Sequence, residues 1–590
     1  MRQAVVLGLL WWALGASGLE AAPTSFDWGV AVLEVSSSRD ARQEQLALRH
    51  CLELLGIPYH RTASVEEATR YPLVLVGGIL FNTEVTPAEQ EALYAYVERG
   101  GVLLATQVQG SNFFPLFGLE GATTSRTNFR VRFAPAADPA LRYLNRPEER
   151  TVSLGDPAFY SETVWSTEYV PGRRTKVLAW YENGAVAFTV HPYGRGLAYA
   201  LGIGFKETTL LPQLARSFQA ARRWINSFEP SGDVFRLILR GLYEDNVHPF
   251  LLVHTVPEGY RTTLVLSHDI DARDSFRNSF LFARMEASLG VRSTFFVTTK
   301  YFRDATDIGY YTAGRIAWLR RVKELGFAVE SHSVSHSLTF DEFAVGSAQV
   351  DPASYDPAHP TVFGEVLVSK QLLDHDLNQQ TTGFRAGYLR YPSDLLRVLE
   401  ATGYKYDSSV SAQWVLTNFP YFGFRQRRLG AEQSDIVVVP VTLDDSRDFL
   451  TPQTQERVLR LWGDIIEANA ENGASTCLLI HPTDVTYKLE TVRRLIEAHA
   501  HKDIWIGDVG SLARFWRHRA RLRPTLRTGS GEAATIVLNL ERQDIPPGQT
   551  LVVENLPKGP LPRVVDAAGV LLPVRTRVAG DRVFLFLPSP

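Results

Sequence analysis

Thr263-Leu264-Val265-Leu266-Ser267-His268-Asp269-Ile270-Asp271 opens the central part of this chain. An aliphatic run ends there on two carboxylates one residue apart, which reads as a buried strand delivering acids to its C-terminal end. Parallel α/β barrels place catalytic groups at that end of their strands. Asp-x-Asp also occurs in ordinary turns, so the pair gains meaning only alongside other chemical groups farther along the chain. About 60 residues on stands Glu330-Ser331-His332-Ser333-Val334-Ser335-His336, again directly after a short strand, expected at 327–330. Two histidines four apart share one side if the segment coils into a helical turn. Two histidines and one carboxylate form a three-ligand set that leaves a divalent metal one open position for water.

Outward from these two segments, strands expected at 263–267, 293–297, 436–441, 476–480 and 504–507 alternate with helical stretches. That alternation implies a parallel sheet covered by helices over residues 261–518. Three further stretches belong to the pattern: Phe384-Arg385-Ala386-Gly387-Tyr388, Tyr406-Asp407-Ser408-Ser409 and Leu479-Ile480-His481-Pro482.

With all five in order, the segment resembles the polysaccharide deacetylase family, the NodB-like or carbohydrate esterase family 4 type. The resemblance implies a distorted (β/α) barrel with Asp269 as general base and Asp271, His332 and His336 as ligands of a divalent metal. Zinc is the first choice, with cobalt or nickel as alternatives. It implies that Arg385 orients the base and that the Tyr388 backbone N–H helps hold the oxyanion. His481 becomes the general acid, with a carboxylate such as Asp407 beside it to keep it charged. Leu479 and Trp414 complete the expected substrate contacts. Two departures from the family pattern stand out: the acids are separated by Ile270, and Gly387 replaces a proline. The reaction implied is removal of N- or O-acetyl groups from a polysaccharide. Hydrolysis of a non-glycan C–N bond on the same barrel and non-catalytic polysaccharide binding are the alternatives.

Several neighbours carry blander expectations. His268 alternates with Asp269 and points away, and Glu330 is a hydrogen-bonding residue near the core edge. Asp444-Asp445 reads as a solvated loop. The aromatic run Phe419-Pro420-Tyr421-Phe422-Gly423-Phe424 fits sugar stacking and core packing equally well.

Residues 26–228 also alternate, with strands expected at 30–35, 72–77 and 101–106 and helices at 40–55 and 86–99. They resemble the glutamine-amidotransferase-like, flavodoxin-like domains attached to bacterial carbohydrate enzymes. The catalytic members carry a cysteine in the turn after the strand that here ends near Thr106, where this chain has Thr106-Gln107-Val108-Gln109-Gly110, so a non-catalytic domain is expected. A helical segment at 209–228 and a connector at 229–260 follow. Beyond Arg523-Pro524, period-two runs in 525–590 read as a small β-sandwich.

The first residues, Met1-Arg2-Gln3 and the apolar run Ala4 to Ala16, read as a signal peptide over 1–22. The expectation is an extracytoplasmic protein with no stable membrane insertion after cleavage. The 590 residues carry 61 Lys+Arg against 64 Asp+Glu, a net charge of −3, which lacks the basic footprint of a nucleic-acid binder. Two cysteines exclude a disulfide framework and a thiolate zinc site, and both sit in apolar runs as core residues. The expected partner is an acetylated polysaccharide.

Overall fold

The computed structural model describes residues 26–36, 38–214, 228–303, 308–428, 430–527, 534–556 and 560–588. The leader expected at 1–22 and most of the helix expected at 209–228 lie outside these residues.

The central sheet is built around Thr262–Ile270, whose nine residues are all buried. Such a strand is covered on both faces, as parallel strands are. Thr294–Val297, Ala328–Ser331, Gly383–Phe384, Tyr406–Asp407 and Gln433–Val438 follow it in parallel on one side. Ser475–Ile480 and Leu443–Asp444 follow in parallel on the other. Tyr421–Phe424 closes the far edge antiparallel, and the sheet curls into a half-barrel. Alternation along the strands divides the core in two. Leu264, Leu266, Ile270 and Phe295 join the fully buried Trp462 on one face. Val265, Phe296, Phe384, Tyr404 and Trp516 fill the other. Trp516 comes from the helix Val509–Arg519, which runs against the foot of the sheet and is capped by Asp508, whose carboxylate accepts from Ser511 N at 2.8 Å.

The first large sheet is parallel through Tyr59–Thr62, Val30–Leu33, Leu73–Val76, Val102–Thr106 and Gly196–Leu201. Thr86 and Glu89 form a reciprocal capping box at the start of the helix Pro87–Glu98. The rest of the sheet differs from the parallel expectation. Val186–Tyr193, Lys176–Tyr181, Arg130–Phe133 and Thr151–Ser153 continue it antiparallel. Tyr193 pairs with Gly196 across a two-residue turn, and a link so short permits only an antiparallel neighbour.

Residues 229–260, expected to be a connector, fold as integral structure. The helix Ser231–Asn246 places Val234, Phe235, Ile238 and Leu242 in the core of the first sheet. Phe250–Val253 pairs antiparallel with Thr550–Glu554, close to the other end of the chain. With Arg582–Phe586 and Arg575–Ala579 they make a four-stranded sheet. A three-stranded sheet of Thr525–Arg527, Thr535–Val537 and Arg563–Val565 shares its core through Leu526, Ile536 and Val564. Cys51 and Cys477 are buried free thiols.

Candidate active site

The C-terminal ends of the central strands converge on a cavity of about 370 Å³ lined by Asp269, Asp271, His332, His336, Tyr388 and His481, with Leu479 in its wall. Asp269 is the last residue but one of the strand Thr262–Ile270, and its side chain is buried while that of Asp271, just past the strand, remains partly exposed. His268 beside Asp269 points the opposite way, to Glu286 Oε1 at 2.7 Å and onto the ring of Phe295.

Arg385 is fully buried beside Asp269, with Nη1 donating to Oδ1 at 2.8 Å. The guanidinium is fixed by Ser408 Oγ at 2.8 Å, by Ser408 O at 3.1 Å and by the face of Phe296. Burial opposes ionisation of Asp269, but the charges of Arg385, His332 and His481 outweigh it and hold the carboxyl below its usual range. Burial raises the carboxyl of Asp271 instead.

His332 Nδ1 lies 2.8 Å from Arg385 O. A carbonyl only accepts, so Nδ1 carries a proton, and Nε2 faces Asp269 Oδ2, 3.6 Å away. The helical turn expected to align His332 with His336 is absent. A bend takes its place, with Ser333 at φ 65° and His336 at φ 56°. The Glu365 carboxylate holds that bend by accepting from Val334 N at 2.9 Å and Ser335 N at 2.8 Å. The two rings still meet, with centroids 4.9 Å apart. His336 Nε2 lies 3.8 Å from Asp271 Oδ2, and burial together with His332 keeps this ring well below the usual histidine range. The glycine at 387 has a steric reason here, since a Cβ on Gly387 would stand 2.6 Å from His336 Cδ2.

His481 Nε2 lies 3.6 Å from Asp271 Oδ2, and its Nδ1 lies 2.7 Å from Asp445 Oδ1. Burial disfavours the imidazolium, but Asp445, Asp271 and Asp269 raise it to about 10. Asp445 is buried as well, and His481 and Lys488, whose Nζ is 2.7 Å from Oδ2, bring its carboxyl down to about 2. The cavity thus holds an ionised carboxylate and a charged imidazole.

Among the described residues, Asp444, Asp445 and His481 also bring one ligand atom each to within 4.8 Å of one another. Asp445 is already occupied by the His481 ring, the His481 N–H and Lys488, so it orients His481 and is a poor metal ligand. Asp271, His332 and His336 line the same cavity and turn one carboxylate and two imidazoles toward it.

Residues 283–406 match the polysaccharide deacetylase family. That stretch contains His332, His336 and Arg385. No curated protein matches the chain. Among solved structures, one from Mycobacterium smegmatis assigned to the polysaccharide deacetylases is 17% identical, covering 47% of this chain and 97% of its own, with a TM-score of 0.35. A family 4 carbohydrate esterase from Streptomyces lividans, in complex with acetate, is 15% identical, covering 43% and 93%, at a TM-score of 0.27. A family 4 pseudoenzyme from Bacillus anthracis is 12% identical, covering 44% and 66%, at 0.29.

Within and around this deacetylase-family segment, three expectations need correcting. Asp407 does not accompany His481. Its carboxylate accepts from Ser409 Oγ at 2.5 Å and Ser409 N at 3.2 Å, and burial outweighs these bonds and the charges of Arg385 and Arg427 to push it up to about 7. Ser409 Oγ in turn accepts from Ala386 N at 2.8 Å, so Asp407 supports the loop that carries Arg385. Asp445 takes the place beside His481, although Asp444-Asp445 reads as a solvated loop in the sequence. Leu443–Asp444 pairs with Ser475–Ile480 and thereby buries both acids. Trp414 sits on the short helix Ala412–Val415 and is not among the residues lining the cavity. Lys488, seven residues after His481, had no sequence signal. Of the aromatic run, Phe419, Tyr421 and Phe424 are buried in the core. Tyr388 stands half-exposed at the mouth, on a turn where it and Leu389 both have φ 53°.

Proposed function

We propose that the chain is an exported, metal-dependent hydrolase that removes N- or O-acetyl groups from a polysaccharide. One observation supports this above the others: Arg385 keeps Asp269 ionised while Asp445 keeps His481 charged, and both open on one cavity. Two titratable groups pushed in opposite directions mark a base and an acid. Asp269 takes the proton of the attacking water, and His481 gives one to the departing nitrogen or oxygen. A divalent ion held by Asp271, His332 and His336, with zinc the first choice and cobalt or nickel the alternatives, supplies Lewis-acid charge at the carbonyl when bound. The Tyr388 N–H adds a donor for the developing oxyanion, and Leu479 offers an apolar wall to the acetyl methyl. Arg385 holds the base in place through Ser408 and Phe296.

Export rests on the leader pattern at 1–22. Among the described residues no helix is long and apolar enough to cross a membrane. The test is acetate release from a panel of acetylated glycans, with and without chelator. Release that stops with chelator and returns with zinc, cobalt or nickel supports the reading. Unchanged release from a thoroughly metal-stripped sample removes it. A metal-free protein that still binds glycan favours the non-catalytic alternative.

A further inference from the structure

The same strands that carry the candidate active site at their C-terminal ends frame a second cavity at their N-terminal ends. It measures about 510 Å³ and lies between the foot of the half-barrel and the helix Val509–Arg519. Ala328 begins one strand, and Thr382 and Lys405 immediately precede the next two. The size suits a small ligand, and its position separates it from the cavity of Asp269 and His481.

The charges around it are unequal in what they are free to do. Two acids line it, Glu330 and Asp508, and both are already satisfied. Glu330 accepts from Thr382 N and Gly383 N, each at 2.8 Å. Asp508 accepts from Ser511 N at 2.8 Å and Ser511 Oγ at 2.6 Å as the helix cap. Three cations line it too: Lys405, Arg514 and Arg517. None of them forms an ion pair among the described residues. Arg514 and Arg517 stand three apart, on one side of their helix. Arg514 donates to Ser511 Oγ at 3.2 Å. Arg517 Nη1 is buried without a hydrogen-bond partner.

At the inner end lies Tyr406, whose ring is buried and whose hydroxyl, close to Glu330 and Thr294, makes no hydrogen bond of good geometry. Space for that hydroxyl is kept by two glycines. A Cβ on Gly383 would stand 2.3 Å from Tyr406 Oη, and one on Gly510 would stand 3.2 Å from it. Buried polar atoms normally have partners, so an orphaned hydroxyl and an orphaned guanidinium nitrogen on one cavity mark a place for a polar ligand.

We propose that this cavity binds an anionic sugar, a hydroxylated ring carrying a carboxylate or a phosphate. Arg517, Lys405 and Arg514 hold the anion, since guanidinium matches both groups in charge and shape. Tyr406 bonds a ring hydroxyl at the inner end, and Ala328, Ala513 and the Tyr406 ring supply the apolar wall. The satisfied state of Glu330 and Asp508 argues against a metal cation here. The site is independent of the deacetylase reading.

Calorimetric titration of the full chain with glucuronate, glucose 6-phosphate, glucose and inorganic phosphate tests it. Glucuronate, glucose 6-phosphate or both bind, glucose does not, and inorganic phosphate binds more weakly than the sugar acid. The two sugar arms tell carboxylate from phosphate. Affinity falls about tenfold in Arg517→Ala and by a smaller factor in Tyr406→Phe, in line with loss of one charged and one neutral hydrogen-bonding group. Asp269→Asn leaves this binding unchanged. The proposal is overturned if neither sugar acid binds, if glucose binds equally well, if inorganic phosphate binds as tightly as the sugar acids, or if Arg517→Ala and Lys405→Ala bind like the parent.

Discussion

Thr106 and Asp269 occupy comparable places, each near the end of a buried parallel strand inside a large sheet. Around Thr106 the polar groups are engaged with nearby backbone. Its Oγ1 is 3.3 Å from both Gly78 N and Gly78 O. Gln107, held at φ 49°, donates its N–H to Leu201 O and its side-chain amide to Trp165 O. Around Asp269 the polar groups are engaged with one another, as a carboxylate with Arg385 and an imidazole with Asp445. The strand–helix grammar is shared by both sheets, so it specifies a scaffold; chemistry follows from which side chains stand at the strand ends.

The contrast can be broken most severely at Asp269. Asp269→Asn keeps the shape and removes the base, so acetate release falls by about a thousandfold or more, while metal content measured by atomic emission stays at the parent level. Parent-level turnover in this variant would remove Asp269 from the role.

Asp445→Asn comes next, with a loss of about a hundredfold expected for a weakened general acid. The sign of its pH dependence is fixed by the environment. His481 is raised to about 10 by Asp445, so in the parent the acid stays protonated through neutral and mildly alkaline pH. Without Asp445 it loses its proton at lower pH, so the alkaline limb of the rate profile moves down. A profile whose limb does not move would show that His481 is not the group reported there.

Gly387→Ala has a smaller effect, carried through geometry. The added methyl meets the His336 ring at 2.6 Å, so metal affinity falls about tenfold, as expected for disturbed support of a ligand. Competition with a chromophoric chelator measures it. Gln107→Ala, at the corresponding place in the first sheet, changes acetate release by less than about twofold, because its side chain bonds Trp165 O within the first sheet's own region and does not line the cavity of Asp269. A large loss there would make the first sheet part of the chemistry.

Sequence pattern carried the central sheet well. The expected strand at 293–297 is Thr294–Val297, that at 476–480 is Ser475–Ile480, and that at 504–507 is Ile504–Asp508. Asp269, Asp271, His332, His336, Arg385 and His481 do meet in space, because each follows or ends a strand whose apolar run announces it. The hidden features depended on pairing between distant segments. Asp445 reads as loop until Leu443–Asp444 is laid against Ser475–Ile480. Asp407 reads as a partner for His481 until its hydrogen bonds turn it toward Ser409. The antiparallel half of the first sheet was hidden for the same reason, since short links and strand order appear only in three dimensions. Residues 229–260 looked like a link because their helix and strand bury themselves against partners far away in the sequence.

The strand Phe250–Val253 has a consequence for biosynthesis. It leaves the ribosome before the whole half-barrel, but its hydrogen-bonding partner Thr550–Glu554 is made only after that half-barrel. Until then its apolar edge has no mate in its own sheet, and edges of that kind template aggregation. A chain translated from one end therefore cannot finish the sheet it starts at Phe250 until the whole barrel has been made. Premature termination anywhere in the barrel would leave a sticky strand exposed beside an otherwise finished first sheet.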